Sequence, residues 1–183
     1  MTELFFELNR FDIETRIADE GRVPLRPLVR AHDLEKAGVV VEDPRVRVRS
    51  ALVDHPPIAT AFGYRFDTAD RSIVISGDTA YSENLLELAR GADVLVHEAL
   101  YRPGIERTIA KAPNASRLLE HVLRSHTAVE DVGRLAAAAG VKTLVLSHLV
   151  PADDPLVTEE DWLAAAKTHF SGEVVLGRDL LEI

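Results

Sequence analysis

Cysteine is absent from the 183-residue chain, which removes disulfides, thiolate metal ligands and cysteine nucleophiles together. Any metal must be held by imidazole and carboxylate. Long apolar runs are absent too, and none approaches the eighteen or so residues that span a bilayer. The opening Met1-Thr-Glu-Leu-Phe-Phe-Glu7 puts acid where a secretory signal carries basic residues, so the expectation is a cytoplasmic protein with no membrane partner. Positive charge is in deficit: 21 Lys and Arg stand against 30 Asp and Glu, a formal net charge of −9. Such a surface repels polyanions overall and makes nucleic acid a disfavoured partner, although a local basic groove stays compatible with it. Internal repeats and low-complexity tracts are also missing.

What remains is an ordinary globular composition of single-domain size, 46% apolar and 28% charged. Residues 1–45 read as an irregular connecting segment, broken by Pro24 and Pro27 and turned at Gly21 and Gly38, with a short helix near His32–Ala37. It resembles the middle of a larger domain more than its start. From Val46 the pattern sharpens. A strand runs from Val46 to Asp54-His55, a second covers Phe62–Phe66, and Thr68–Arg71 turns into Ser72–Ser76. Ser82 caps a helix that Gly91 ends, and Asp93–His97 is a short apolar strand. Tyr101–Arg124 is mixed, with Leu118, Leu119 and Val122 at helical spacing. Thr127-Ala-Val-Glu130 has capping-box form before a helix Val129–Ala139, closed by Gly140. Lys142–Leu146 is a buried-type strand, Thr158 caps a helix to Phe170, and Glu173–Leu176 and Asp179–Ile183 read as closing strands. Strands alternating with single helices predict an α/β layered domain over residues 46–183.

Three residues share one placement. His55, Asp78 and His148 each follow an apolar strand where the chain turns into a loop, the position from which an α/β sheet gathers groups distant in sequence. Two imidazoles and a carboxylate suit Zn2+, Mn2+ or Fe2+. Gly77 permits a sharp turn or close approach before the aspartate, and Thr79 is placed to orient its carboxylate. Singly, each residue reads more often as a turn or surface residue than as a ligand, and it is the shared placement of three that points to a site. A second pair is His126, at a helix start, with Glu98 after His97: an imidazole able to move a proton, its tautomer set by a carboxylate. The alternative is a buried Glu98 satisfied by backbone donors, with Ser125 and His126 as capping residues. His32, His121 and His169 read as surface residues.

The motifs occur in one order: Val53-Asp-His55-Pro-Pro, Ile75-Ser-Gly-Asp78-Thr79, Val96-His-Glu98-Ala99, Ser125-His126-Thr127 and Leu146-Ser-His148. The series resembles the C-terminal half of the metallo-β-lactamase superfamily, in the branch of ribonuclease Z and related arylsulfatases. The resemblance implies one half of a four-layer αββα sandwich: a mixed sheet with helices on one face. It implies a hydrolase using a metal-held hydroxide and two zinc ions per complete site. His55 would be a ligand of the first zinc, Asp78 the bridging aspartate, His148 a ligand of the second, and Glu98 and His126 the proton-transfer pair. The family's His-x-His-x-Asp-His string does not occur here. The expectation is therefore a chain with part of a ligand set, an uncovered sheet face, and either a homodimer or a missing N-terminal half as its completion. A short hairpin fills the stretch between His55 and Asp78, where ribonuclease Z carries a tRNA-gripping arm. With the negative charge, this favours an arylsulfatase-like or phosphodiesterase-like enzyme acting on a small-molecule ester. Ribonuclease Z-type tRNA 3′ processing and a non-catalytic assembly module stand as alternatives.

Overall fold

The computed structural model describes residues 1–111 and 117–183. It divides into two compact units, Met1–Glu35 and Lys36–Ile183.

The first unit is helical where an irregular segment was expected. Helix α1 spans Thr2–Leu8 and α2 spans Arg10–Glu20, followed by a 3-10 turn at Arg26–Leu28. The stretch lacks a clear apolar stripe, and α2 buries none of its side chains. Charge spacing supports it instead: Arg16 pairs with Asp12 and Glu20, each four residues away. Gly21, left-handed at φ 66°, ends the helix before Pro24 can break it. No helix forms at His32–Ala37.

The second unit carries a seven-stranded sheet in sequential order: β1 Gly38–Glu42, β2 Val46–His55, β3 Ile58–Thr68, β4 Ser72–Ile75, β5 Val94–Leu100, β6 Thr143–Val150 and β7 Glu173–Leu176. The sheet thus begins at Gly38 rather than Val46. β1 to β4 pair antiparallel, and β4 to β7 pair parallel. The change of sense follows from the connections. Tight turns join β2 to β3 and β3 to β4, whereas α3 Glu83–Ala89 and α6 Val129–Ala139 cross between parallel strands. Helix α7, Glu159–Lys167, makes the last crossover.

These helices cover one face, as the mixed-sheet expectation required. Val74, Leu95, Leu144 and Leu146 from the strands pack with Leu85, Val132, Leu135, Ala136, Trp162 and Phe170, all buried. A wholly buried leucine contributes roughly 2 kcal/mol through removal from water. Alternation sends the neighbouring residues to the opposite face, where Tyr64 pairs with Ile75 and Ile75 with Val96. That face is apolar but uncovered enough to leave Ile75 43% exposed, while Val74 is fully buried.

Several local expectations give way to tertiary contacts. The mixed stretch after Tyr101 contains α4 Arg102–Ala110 and α5 Leu118–Ser125, and its part over 112–116 lies outside the described residues. Pro103 sits in the first turn of α4, where its missing N–H leaves no bond unmade. Helix α6 has its expected bounds and its Gly140 terminator but no capping box; Ala128 is the N-cap. The Thr127 hydroxyl instead donates to the Thr79 carbonyl at 2.7 Å. The full capping box is at Thr158 and Asp161. Asp179–Ile183 is not a strand: Leu180 is left-handed at φ 63°, and Leu181 N–H donates to Arg178 O across a turn.

Candidate metal centre

Five of the sequence-selected side chains converge at one end of the sheet. His55 ends β2, immediately before the turn Pro56–Pro57 that returns as β3. Asp78 lies in the loop after β4, and this loop is fastened to the end of β2. Ala80 N–H donates to Asp54 O at 2.7 Å, and Asp54 N–H donates to Thr79 Oγ1 at 3.1 Å. Gly77 makes the loop possible. Its φ is 63°, and a Cβ there would stand 2.9 Å from the Phe62 carbonyl oxygen. Thr79, fully buried, does not touch the Asp78 carboxylate as the sequence suggests; its hydroxyl is occupied by the Asp54 and Ala80 backbone. Its role is to hold two loops together.

Strand β5 continues through Glu98 to Leu100, so Glu98 is inside the strand and 2% exposed. Its Oε1 accepts from Thr127 N–H at 2.7 Å and from Thr79 N–H at 3.4 Å, and its Oε2 faces His126 Nδ1 at 3.3 Å. Backbone donors thus satisfy one oxygen of Glu98, and the other faces the His126 imidazole. The hydrogen bond to Glu98 raises the His126 pKa above its ordinary value, against the opposing effect of partial burial. His97, the preceding residue, points to the helix-covered side and is fully buried. Its Nδ1 lies 2.6 Å from the Glu98 carbonyl oxygen, and because a carbonyl only accepts, this nitrogen carries the proton. Burial pushes its pKa down, so it stays neutral. Its Nε2 has no partner among the described residues.

His148 was expected at a strand end but sits within β6. Glu98 pairs with Ser147 and Ala99 with Leu149, leaving His148 as an extra residue in a bulge. Its φ is 40°, in the left-handed region. The bulge breaks the alternation and lifts the imidazole out of the ladder, where His148 Nε2 comes within 3.6 Å of Asp78 Oδ2. The His126 ring stacks 5.5 Å from that of His148 and meets the His55 ring edge-on at 5.6 Å.

One donor atom each from Glu98, His126 and His148 lies within 4.8 Å of the others, a spacing a metal ion could bridge. This trio differs from the sequence-selected His55, Asp78 and His148, sharing only His148. Glu98 is the weaker ligand candidate of the two carboxylates, since three donors already occupy it. Asp78, 41% exposed at its side chain and 3.6 Å from His148 Nε2, accepts no hydrogen bond among the described residues, so its lone pairs are open to a cation. Imidazole nitrogens and carboxylate oxygens without thiolate form a set that fits zinc or another borderline divalent cation.

The comparisons with known proteins agree with this geometry. Residues 9–149 match the family model of the β-lactamase superfamily domain. The chain belongs to the metallo-β-lactamase superfamily of hydrolases. Its place is on the ribonuclease Z branch: it is 38% identical over 169 residues to ribonuclease Z of Mycobacterium sp. (strain KMS) and 34% identical over the same length to that of Mycobacterium tuberculosis (strain H37Rv). Both alignments cover 92% of this chain but only 56% and 59% of those proteins, so the chain spans little more than half their length. Among solved structures, the metallo-β-lactamase fold protein YhfI from Bacillus subtilis superposes with a TM-score of 0.61 at 19% identity, covering 89% of this chain and 60% of that one. The short form of human tRNase Z superposes at 0.50 with 21% identity, covering 80% and 45%. The superfamily implies bound metal ions. These relatives favour ribonuclease Z over the arylsulfatase-like reading and give no support to a small-molecule ester. Among the described residues no helix is long and apolar enough to cross a membrane.

Proposed function

We propose that this chain carries part of a phosphodiester-hydrolysing centre of ribonuclease Z type, with RNA as its substrate. The observation that supports it most is the meeting of Asp78, His148 and the Glu98–His126 pair, from four separate segments, at one sheet end. In this reading His55, Asp78 and His148 hold metal, with zinc the best match to the donor set. Such cations, when bound, act as Lewis acids at a phosphoryl oxygen and make water more acidic. Glu98 fixes the His126 tautomer and orientation through Nδ1, leaving Nε2 to give a proton to the departing oxygen. Thr127 and Thr79 N–H groups keep the Glu98 carboxylate in place for that task.

The test is cleavage of a 3′-extended tRNA precursor by the Zn2+-loaded chain supplemented with a polypeptide that carries the His-x-His-x-Asp-His string. Specific cleavage is expected, and His148→Ala is expected to abolish it; full activity in that variant overturns the assignment of ligands.

A second reading, a metal-free assembly module, is favoured by one observation: the 183 residues contain no His-x-His-x-Asp-His string. Zinc titration separates the two. Sub-micromolar binding that His148→Ala removes supports the metal centre, and absence of binding supports the module.

A further inference from the structure

Beside the metal centre lies a cavity of about 410 Å3, lined by Pro56, Pro57, Arg117, Glu120, His121 and Arg124. Its walls are continuous with the centre. Pro56 follows His55 directly, and Arg124 is separated from His126 only by Ser125, whose hydroxyl donates to Pro56 O at 2.7 Å and ties the two walls together. Helix α5 is amphipathic in a way that serves both sides. Leu119, Val122 and Leu123 pack with Leu100 and Ile105, while Arg117, His121 and Arg124 recur at spacings of four and three and share the opposite, exposed face. At 1.5 Å per residue, Arg117 and Arg124 stand about 10 Å apart along the axis. Cations so spaced along a groove track an extended polyanion rather than one small anion. In a chain of net charge −9, the two arginines here meet no close carboxylate among the described residues: Glu120 on the wall reaches Arg124 only at 3.9 Å, with both side chains about two-thirds exposed. A surface pair of that kind contributes little and leaves the guanidinium available.

We propose that this α5 face is a phosphate-binding subsite that holds the backbone of the RNA strand next to the scissile bond. The inference rests on the reading of the site as an RNA-cleaving centre and adds where the strand lies: over α5 and the Pro56–Pro57 turn. It also accounts for an acidic protein acting on a polyanion, since the attraction is confined to one wall of the site. Arginine forks recognise phosphate through paired N–H donors, and a proline wall offers a flat apolar surface beside them.

The test measures binding of a fluorescein-labelled single-stranded RNA oligonucleotide by anisotropy at several salt concentrations. Arg117→Ala/Arg124→Ala is expected to weaken binding about tenfold and to reduce the slope of log K against log salt by about one to two units. Glu120→Gln is expected to tighten binding. Arg45→Ala/Arg90→Ala removes the same charge from exposed positions elsewhere and is expected to change affinity less than twofold. Unchanged affinity in the α5 variant, an equal loss in the control, or no RNA binding by the parent chain overturns the subsite. Cleavage of the tRNA precursor is read separately. Charge-dependent binding without cleavage would remove the hydrolase reading and leave the subsite supported.

Discussion

At His148 a side chain that must reach a shared site stands on backbone that L-residues avoid, with φ at 40° inside a β-bulge. Left-handed backbone costs a non-glycine residue roughly 1 kcal/mol, and the surrounding parallel ladders of β5 and β6 maintain it. A glycine would sit there without strain. His148→Gly is therefore expected to be about 1 kcal/mol more stable than His148→Ala in metal-free urea unfolding, while both lose hydrolysis. Equal stabilities would show that the bulge relaxes when the imidazole is gone. This feature was not legible in the sequence. A bulge inserts one residue into an apolar run, and Leu146-Ser-His148-Leu-Val150 reads equally as a strand that stops at Ser147. His55 and Asp78 were legible, because proline after one and glycine before the other mark strand ends.

Between elements, Asp93 joins the starts of three strands. Its carboxylate accepts from Ser72 N–H at 2.7 Å and Ser72 Oγ at 2.8 Å on β4, and from Lys142 Nζ at 2.6 Å before β6. The Lys142 ammonium first, and then the Ser72 donors, hold its pKa well below the usual carboxylate range. The folded-state value is depressed, so the stabilisation is complete above the unfolded Asp value near 4 and is lost as pH falls through the folded one. The parent chain is expected to lose more melting temperature between pH 6 and pH 3 than Asp93→Asn does; parallel curves would show that the carboxylate contributes nothing to the acid limb. Elements were otherwise read best where apolar periodicity governs them, as in β5, β6 and α6. Helix α2 escaped because ion pairs rather than an apolar stripe support it, and Thr127 failed as a cap because a carbonyl distant in sequence takes its hydroxyl.

For the whole molecule, the notable imbalance is between the two sheet faces. One is packed under α3, α6 and α7; the other presents Tyr64, Ile73, Ile75 and Val96, with Ile75 43% exposed. Apolar sheet surface of this kind drives association. Sedimentation velocity of the isolated chain is expected to show concentration-dependent association, which Ile75→Lys should weaken; a monomer at all concentrations would mean that the face is sufficiently wetted or covered by other means.

What the sequence by itself determined is the sheet's alternation, the crossovers and the order of motifs from His55 to His148, because periodicity and turn residues are local and survive without tertiary context. It also identified the residues that meet at the site. Their geometry was decided only by the tertiary structure: the bulge under His148, the attachment of the Asp78 loop to β2 through Thr79, and the alignment of Arg117, His121 and Arg124 beside the Pro56–Pro57 turn. Each depends on contacts between segments far apart in the chain, whose pairing energy does not appear in any window of sequence.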